Sequence, residues 1–262
     1  TLGAECLMLF KEPDGTFPNH PPDPVVPENI KELISTVKTG DFACGIGFDG
    51  DGDRIGALDE QGQVIWGDVL LAVYAEELLA RMPGAKIIFE VKCSKGLIER
   101  IEQLGGTPLM YKTGHSLIKA KMKMENAPLA GEMSGHIFFA DRYYGYDDAI
   151  YAALRLFEIL SRGEKLSSLT ARVPKYYSTP EIRIDTTDEE KFGIVEDLKA
   201  HFKKSYRVID IDGVRVDFDD GWGLIRASNT QPVLVLRFEA RTEQRLEEIR
   251  KLFFDTLDEY KR

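Results

Sequence analysis

The segment Asp49-Gly50-Asp51-Gly52-Asp53-Arg54 places three carboxylates at alternate positions with glycines between them. Held close and unpaired, such carboxylates repel one another. A divalent cation removes that cost by taking their oxygens as ligands, and the glycines permit the tight backbone path that convergence requires. The plain alternative is a solvated acidic turn. Two other motifs fit in part. Asp49, Asp51, Asp53 and Glu60 stand at positions one, three, five and twelve of a calcium-binding helix-loop-helix, but its sixth position needs glycine and holds Arg54, and its flanks read as strands. Gly45-Ile46-Gly47-Phe48-Asp49-Gly50 matches a dinucleotide fingerprint, yet carboxylates follow at once and no helix begins there to receive a pyrophosphate.

The elements around the loop follow from periodicity and punctuation. Ile30, Leu33, Ile34 and Val37 make a helical stripe opened by Pro27 and closed by Gly40. A strand from Ala43 to Phe48 leads into the acidic loop, and Ile55 to Leu58 and Val64 to Trp66 form a hairpin about Asp59-Glu60-Gln61-Gly62. Asp68 caps a helix to Arg81, Lys86 to Val91 is a strand, and Ser94 caps a helix that stops at Gly105-Gly106. Pro108 to Tyr111 is a strand, Ser116 opens a helix to Glu125, Leu129 to Glu132 and Ile137 to Ala140 are strands, and Asp147 begins a helix to Arg162. This alternation predicts a mixed-sheet α/β layer covered by helices. After Val173-Pro174 short strands become neighbours, at Glu181 to Ile184, Tyr206 to Ile211, Val214 to Asp217, Gly223 to Arg226 and Val233 to Ala240, with helices at Glu189 to Phe202 and Glu243 to Tyr260. That texture predicts a smaller α+β domain with an antiparallel sheet and helices on one side.

The acidic loop resembles the metal loop of the alpha-D-phosphohexomutases, the phosphomannomutase/phosphoglucomutase branch in particular. The resemblance implies that Asp49, Asp51 and Asp53 hold Mg2+ and that Arg54 lies beside the active site. Gly131-Glu132-Met133-Ser134-Gly135-His136 resembles the family's sugar-recognition loop, with Glu132 and Ser134 bonding hexose hydroxyls. A carboxylate accepts from two vicinal hydroxyls and a serine both donates and accepts, so the pair suits a sugar in more than one orientation. Val91-Lys92-Cys93-Ser94 and Lys112-Thr113-Gly114-His115-Ser116 each end a strand and start a helix, where ligands commonly sit. By resemblance Lys92 and His115 face the substrate, His115 as a proton carrier or phosphate neighbour. Arg226-Ala227-Ser228-Asn229-Thr230-Gln231-Pro232, with Arg237 on the next strand, is similar to the family's phosphate-binding loop. Arg226, Ser228, Asn229, Thr230 and Arg237 are its expected contacts, guanidinium groups and hydroxyls being suited to a phosphate dianion.

The matches span nearly the whole chain, including Phe17-Pro18-Asn19-His20-Pro21-Pro22-Asp23-Pro24, which resembles the end of the family's second domain. They imply a remnant of that domain with the metal loop (1–63), an α/β sugar-binding domain (64–173) and a phosphate-binding α+β domain (174–262) similar to the TATA-binding protein. The family interconverts hexose 1-phosphate and hexose 6-phosphate through a hexose 1,6-bisphosphate, using a phosphoserine in a Ser-His-Asn loop. No such loop occurs in this sequence. The expectation is a C-terminal fragment, missing its N-terminal domains and inactive alone, whose metal loop, sugar loop and phosphate loop converge on one cleft. The alternative is a non-catalytic sugar-phosphate or metal-binding module.

Composition bounds the partners. With 44 acidic and 34 basic side chains the net charge is −10, which disfavours a nucleic-acid backbone, and no aromatic-basic stripe offsets it. Apolar residues are 43% and charged ones 30%, with no run of membrane-spanning length. Cys6, Cys44 and Cys93 are odd in number and widely spaced, so neither a disulfide framework nor a cysteine zinc site is expected. The setting expected is cytoplasmic and reducing, and the protein a monomer whose ligand is a phosphorylated hexose. Thr1-Leu2-Gly3-Ala4-Glu5-Cys6 is mid-protein in character, not a targeting signal.

Overall fold

A computed structural model describes residues 3–260; Thr1 and Leu2, part of the opening segment just noted, lie outside them. The chain divides into two compact units. The first comprises the residues up to Phe89 with Arg100–Leu109 and Gly114–Val173; the second takes Glu90–Glu99, Met110–Thr113 and everything from Pro174.

In the first unit, α1 (Lys31–Thr39) lays Ile30, Leu33, Ile34 and Val37 against Leu58 and Val64. Beneath it β1 (Cys44–Phe48) and β2 (Ile55–Asp59) pair antiparallel from Cys44↔Asp59 to Phe48↔Ile55, and β3 (Val64–Ile65) adds to β2. The register ends at the acidic loop, so the hairpin itself delivers Asp49 and Arg54 side by side. Trp66 is not a strand residue as expected but the N-cap of α2 (Gly67–Arg81), and Asp68 lies inside the first turn of that helix. Leu70, Leu71, Val73, Tyr74 and Leu78 are all buried, the mark of a helix enclosed on most sides.

A four-stranded sheet follows with spatial order β5-β4-β6-β7, built from β4 (Lys86–Glu90), β5 (Thr107–Tyr111), β6 (Leu129–Gly131) and β7 (Ile137–Phe139). β4 and β6 run parallel and β6 and β7 antiparallel, which makes the sheet mixed. The intervening helices are α3 (Lys95–Gln103) and α4 (His115–Glu125), and α5 (Ala149–Leu160) and the short α6 (Leu166–Thr170) come after. α5 starts two residues later than expected because the Asp148 carboxylate accepts the Tyr151 amide at 2.8 Å and so forms the cap. Asp147 is released for another task. α4 starts one residue early, at His115.

A buried ion network joins α2, α5 and the segment after β7. Arg155 donates to Glu77 Oε2 at 3.0 Å and Asp141 Oδ1 at 2.8 Å, and Arg81 donates to Glu77 Oε1 at 2.9 Å and Asp141 Oδ2 at 2.8 Å. Arg155 also lies 4.3 Å from the centre of the Phe139 ring. Two carboxylates and two guanidiniums thus neutralise one another where unpaired charge would be costly.

The second unit is an antiparallel sheet of spatial order β10-β11-β12-β13-β8, with β9 also pairing β13. Its strands are β8 (Tyr177–Ser178), β9 (Ile182–Asp185), β10 (Val208–Ile209), β11 (Val214–Phe218), β12 (Gly221–Ala227) and β13 (Val233–Ala240), and its helices α7 (Lys191–Phe202) and α8 (Glu243–Tyr260). Strand alternation sorts the residues. Ile225, Ala227, Leu234, Leu236 and Phe238 join Val195, Leu198 and Phe202 of α7 and Ile249, Phe253 and Leu257 of α8 in one core. Each such side chain contributes about 1.5–3 kcal/mol by leaving water. The opposite face carries Trp222, Leu224, Arg226, Arg237 and Glu239, which the register Trp222↔Glu239, Leu224↔Arg237 places together. Arg215, wholly buried, lies 3.9 Å from the centre of the Trp222 ring and donates to the carbonyls of Val91 at 2.5 Å and Cys93 at 3.1 Å. β10 is shorter than expected because the Tyr206 amide donates to the Phe202 carbonyl at 2.9 Å, closing the turn after α7, while its ring packs on Phe202 and Phe218. Among the described residues no helix is long and apolar enough to cross a membrane, and the three cysteines are free.

Candidate functional site

The acidic loop is organised by its first member. Asp49 Oδ1 accepts the amides of Gly52, Asp53 and Arg54, each at 3.1 Å, and its Oδ2 accepts Arg54 Nε at 2.8 Å. Gly52 has φ +76°, a backbone state that glycine adopts without strain. Burial alone would lift the Asp49 carboxyl, but the Arg54 side chain and amide hold it below the usual carboxylate range. Arg54 is clamped from the other side by Asp23 Oδ1 at 3.0 Å. Burial pushes the Asp53 carboxyl up; His136 opposes the shift, and the Asp49 and Asp51 carboxylates reinforce it. This is the signature of negative charge gathered beyond what the protein neutralises. One oxygen from each of Asp49, Asp51 and Asp53 lies within 4.8 Å of the others, a donor set that fits a hard divalent cation.

The turn after β6 is stitched to this loop. Arg54 pairs with His136 in an antiparallel bridge, the Ile55 amide donates to the Gly135 carbonyl at 3.0 Å, and the Glu132 amide donates to the His136 carbonyl at 2.9 Å. Gly135 has φ +95°, and a Cβ there would meet the Ile55 carbonyl oxygen at 2.4 Å. Gly135→Ala is therefore expected to destabilise the chain by about 1–3 kcal/mol, read as a lowered urea midpoint. Glu132 is 3% exposed, with Oε1 accepting the Gly114 amide at 2.6 Å, ahead of the first turn of α4; Ser134 Oγ is 3.5 Å from its Oε2. The two expected sugar contacts thus sit together.

His115 stands in the same cluster, with two residues that motif reading did not single out. Asp147 Oδ2 accepts His115 Nδ1 at 2.9 Å, and its Oδ1 accepts Lys119 Nζ at 3.0 Å. His136 Nδ1 lies 3.1 Å from Asp147 Oδ2 and 3.6 Å from Asp53 Oδ1. Burial would raise the Asp147 carboxyl, yet the His136, Lys119 and His115 side chains hold it far below its ordinary value. Burial alone would lower the His136 imidazole, but the carboxylates of Asp147, Glu132 and Asp53 raise it. His136 follows the sugar-loop residues directly in sequence, so an available signal was its place beside Ser134. Asp147 carried only a capping signal, which belongs to Asp148.

The remaining expected residues belong to the second unit. Lys92 Nζ sits 3.2 Å from Glu181 Oε2 and 3.6 Å from Glu90 Oε1; burial disfavours its charge, but these two carboxylates raise its pKa nonetheless. Arg226 and Arg237, both 6% exposed, are diagonal neighbours on one face of β12 and β13. Arg226 Nε donates to Asp212 Oδ2 at 3.0 Å, and Arg237 donates to the Lys92 carbonyl. Ser228 Oγ accepts the Gln231 amide at 3.2 Å and the Thr230 amide at 3.4 Å, closing the loop that contains Asn229. Asp212 and Glu181, the acidic partners of these cations, had no motif to mark them.

Comparison with known proteins identifies the family. Profiles of phosphoglucomutase/phosphomannomutase match residues 1–62 (alpha/beta/alpha domain II), 66–177 (alpha/beta/alpha domain III) and 181–256 (C-terminal domain). The chain belongs to the phosphoglucomutase/phosphomannomutase family. A phosphomannomutase/phosphoglucomutase of Pseudomonas putida is 54% identical over 255 residues, 96% of this chain and 55% of that protein. A phosphomannomutase of Methanocaldococcus jannaschii is 37% identical, over 96% of this chain and 56% of its own length. The crystal structure of a phosphoglucomutase/phosphomannomutase family protein from Burkholderia thailandensis superposes with a TM-score of 0.90 at 47% identity, covering 96% of this chain and 54% of that one. The chain thus spans about half the length of the relatives it matches.

Proposed function

We propose that this chain is part of a phosphohexomutase that interconverts hexose 1-phosphate and hexose 6-phosphate through a hexose 1,6-bisphosphate, with a phosphoserine supplied by sequence outside these 262 residues. The observation that carries the reading is the acidic loop, with Arg54 held between Asp49 and Asp23 and its backbone paired to the turn that bears Glu132 and Ser134. The names of the relatives support it. Mg2+ held by Asp49, Asp51 and Asp53 supplies neutralisation of charge on the transferring phosphoryl group.

The protein's own groups have complementary tasks. Arg54 offers fixed positive charge beside the reacting phosphate. Glu132 accepts from vicinal hydroxyls while Ser134 both donates and accepts, so the pair serves the sugar in either orientation. With Nδ1 turned to Asp147, His115 and His136 keep Nε2 for exchange of a substrate proton. Lys92 adds a charge toward the substrate, and Arg226, Ser228, Asn229, Thr230 and Arg237 grip the phosphate that is not reacting. The parent protein is a cytoplasmic monomer on this reading.

Given glucose 1-phosphate, a trace of glucose 1,6-bisphosphate and magnesium, the chain alone is expected to form no glucose 6-phosphate. In calorimetry it is expected to bind both magnesium and the bisphosphate. Turnover by the chain would overturn the external phosphoserine, and failure to bind either ligand would overturn the mutase reading. A natural sugar-phosphate or metal-binding module without catalysis is the second reading. It predicts that the product of the uninterrupted reading frame also fails to turn over.

A further inference from the structure

We infer that Arg183 is a further ligand for the phosphate gripped by the loop after β12, and that Glu181 holds that phosphate's place until it arrives. Both residues lie in the second unit, ahead of that loop in sequence and outside its motif. The inference rests on the proposed role of Arg226 and its neighbours.

Strand register brings Arg183 to the loop. Arg226 stands opposite Val235, and Val235 opposite Arg183, so the three form one row across β12, β13 and β9. Ile182 and Ile184 on either side of Arg183 pack into the core against α7 and α8, which turns Arg183 to the face that carries Arg226. Two strand spacings separate the arginine backbones by roughly 10 Å, and two long side chains can meet over the short Val235 between them. The Arg183 guanidinium is already at the loop, where its Nη1 donates to Gln231 Oε1 at 2.7 Å. Its side chain is 57% exposed and so open to a ligand.

Glu181 engages the cations that a phosphate would engage. Its Oε1 accepts Arg183 Nη2 at 3.0 Å and Nε at 3.2 Å, and its Oε2 accepts Lys92 Nζ at 3.2 Å. Arg226 is close enough to oppose the charge on Lys92. One carboxylate thus gathers donors from two cations with a third beside them, as a pair of phosphate oxygens does. The charges balance while it stays: Lys92, Arg183 and Arg226 face Glu90, Glu181 and Asp212, three positive against three negative. A balanced set attracts a dianion weakly, and turning Glu181 aside restores a net positive charge. The exposed pair with Arg183 is easily broken, and a dianion with more oxygens outcompetes a carboxylate for guanidinium donors. The consequence is discrimination. A hexose without phosphate has nothing with which to displace Glu181, so the place opens for the phosphorylated sugar.

Calorimetry with glucose 1,6-bisphosphate in the presence of magnesium tests both halves. Arg183→Gln is expected to weaken binding about tenfold, and Glu181→Gln to tighten it about tenfold. Asp185→Asn removes an exposed negative charge from the same strand and is expected to change affinity less than about twofold. A measurement without any variant guards against misfolding: the bisphosphate is expected to shift the Nε–H resonance of Arg183 in 15N spectra and leave that of Arg250, exposed on α8, in place. Arg226→Ala separates this inference from the reading beneath it. Unchanged affinity in Arg226→Ala would overturn the phosphate loop and with it the role of Arg183. If Arg226→Ala binds at least about tenfold more weakly, the inference alone is overturned by any of four results: unchanged affinity in Arg183→Gln, no tightening in Glu181→Gln, equal tightening in Asp185→Asn, or an unmoved Arg183 resonance.

Discussion

Asp49→Asn is expected to weaken magnesium binding by roughly 100-fold and also to lower the melting temperature of the chain with no cation present. The two effects have separate origins. As a ligand on the proposed function, Asp49 would supply one of three negative charges, and an amide oxygen is a poorer partner for a hard cation. As a structural group, it gathers three loop amides on Oδ1 and the Arg54 side chain on Oδ2. Asparagine can keep the first set through its carbonyl, but its NH2 would face the Arg54 donor, leaving two donors opposed while Asp23 still holds the other side of that guanidinium. Losing a half-buried charged pair in this way costs about 2 kcal/mol. Asp51→Asn is the control. Asp51 is exposed, so its replacement is expected to reduce magnesium affinity while leaving the cation-free melting temperature unchanged. Equal melting temperatures for both variants would show that Asp49 does not organise the loop.

Glu77→Gln is expected to destabilise the chain by about 3 kcal/mol at neutral pH and to flatten the acid limb of its stability curve. Burial would raise the Glu77 carboxyl, but Arg81 and Arg155 pull it down to about 2 from an ordinary value of 4.5. A pKa depressed in the folded state means that the unfolded chain binds the proton more readily. The stabilisation is therefore fully present above pH 4.5 and is lost as the pH falls toward 2. Urea midpoints followed by circular dichroism across that window are expected to fall for the wild-type chain more steeply than for the variant, the two converging at the acid end. Parallel curves would place the acid sensitivity elsewhere.

The sequence conveyed the elements well where periodicity was undiluted. α8 and β13 have the bounds expected, because an amphipathic stripe and a long strand rich in β-branched and apolar residues need no outside help. It misjudged elements whose ends are fixed by single bonds or by a neighbouring strand. Trp66 reads as a strand residue by type but its carbonyl accepts the Leu70 amide at the start of α2, and Tyr206 reads likewise but its amide is held by the Phe202 carbonyl at the end of α7. β8, two residues long, exists only because Glu239 and Ala240 offer it an edge. The gathering of carboxylates was legible where several special residues are consecutive, as in the acidic loop. It was not legible where a site is assembled across the fold: Asp23 meets Arg54, Asp212 meets Arg226, and Asp147 meets two histidines, each pairing distant in sequence and none with a local pattern.

The backbone links between the two loops of the first unit bear on how a substrate can change its pose. Ile55 is bonded to Gly135, Ala149 to Gly52, and Arg54 is laddered to His136, so the acidic loop and the turn from Gly131 to His136 form one backbone-linked plate. A plate of that kind cannot swivel to follow a ligand that must present first one end and then the other. On the proposed reaction the bisphosphate has to somersault above a stationary floor, and whatever yields to let it pass lies outside those two loops.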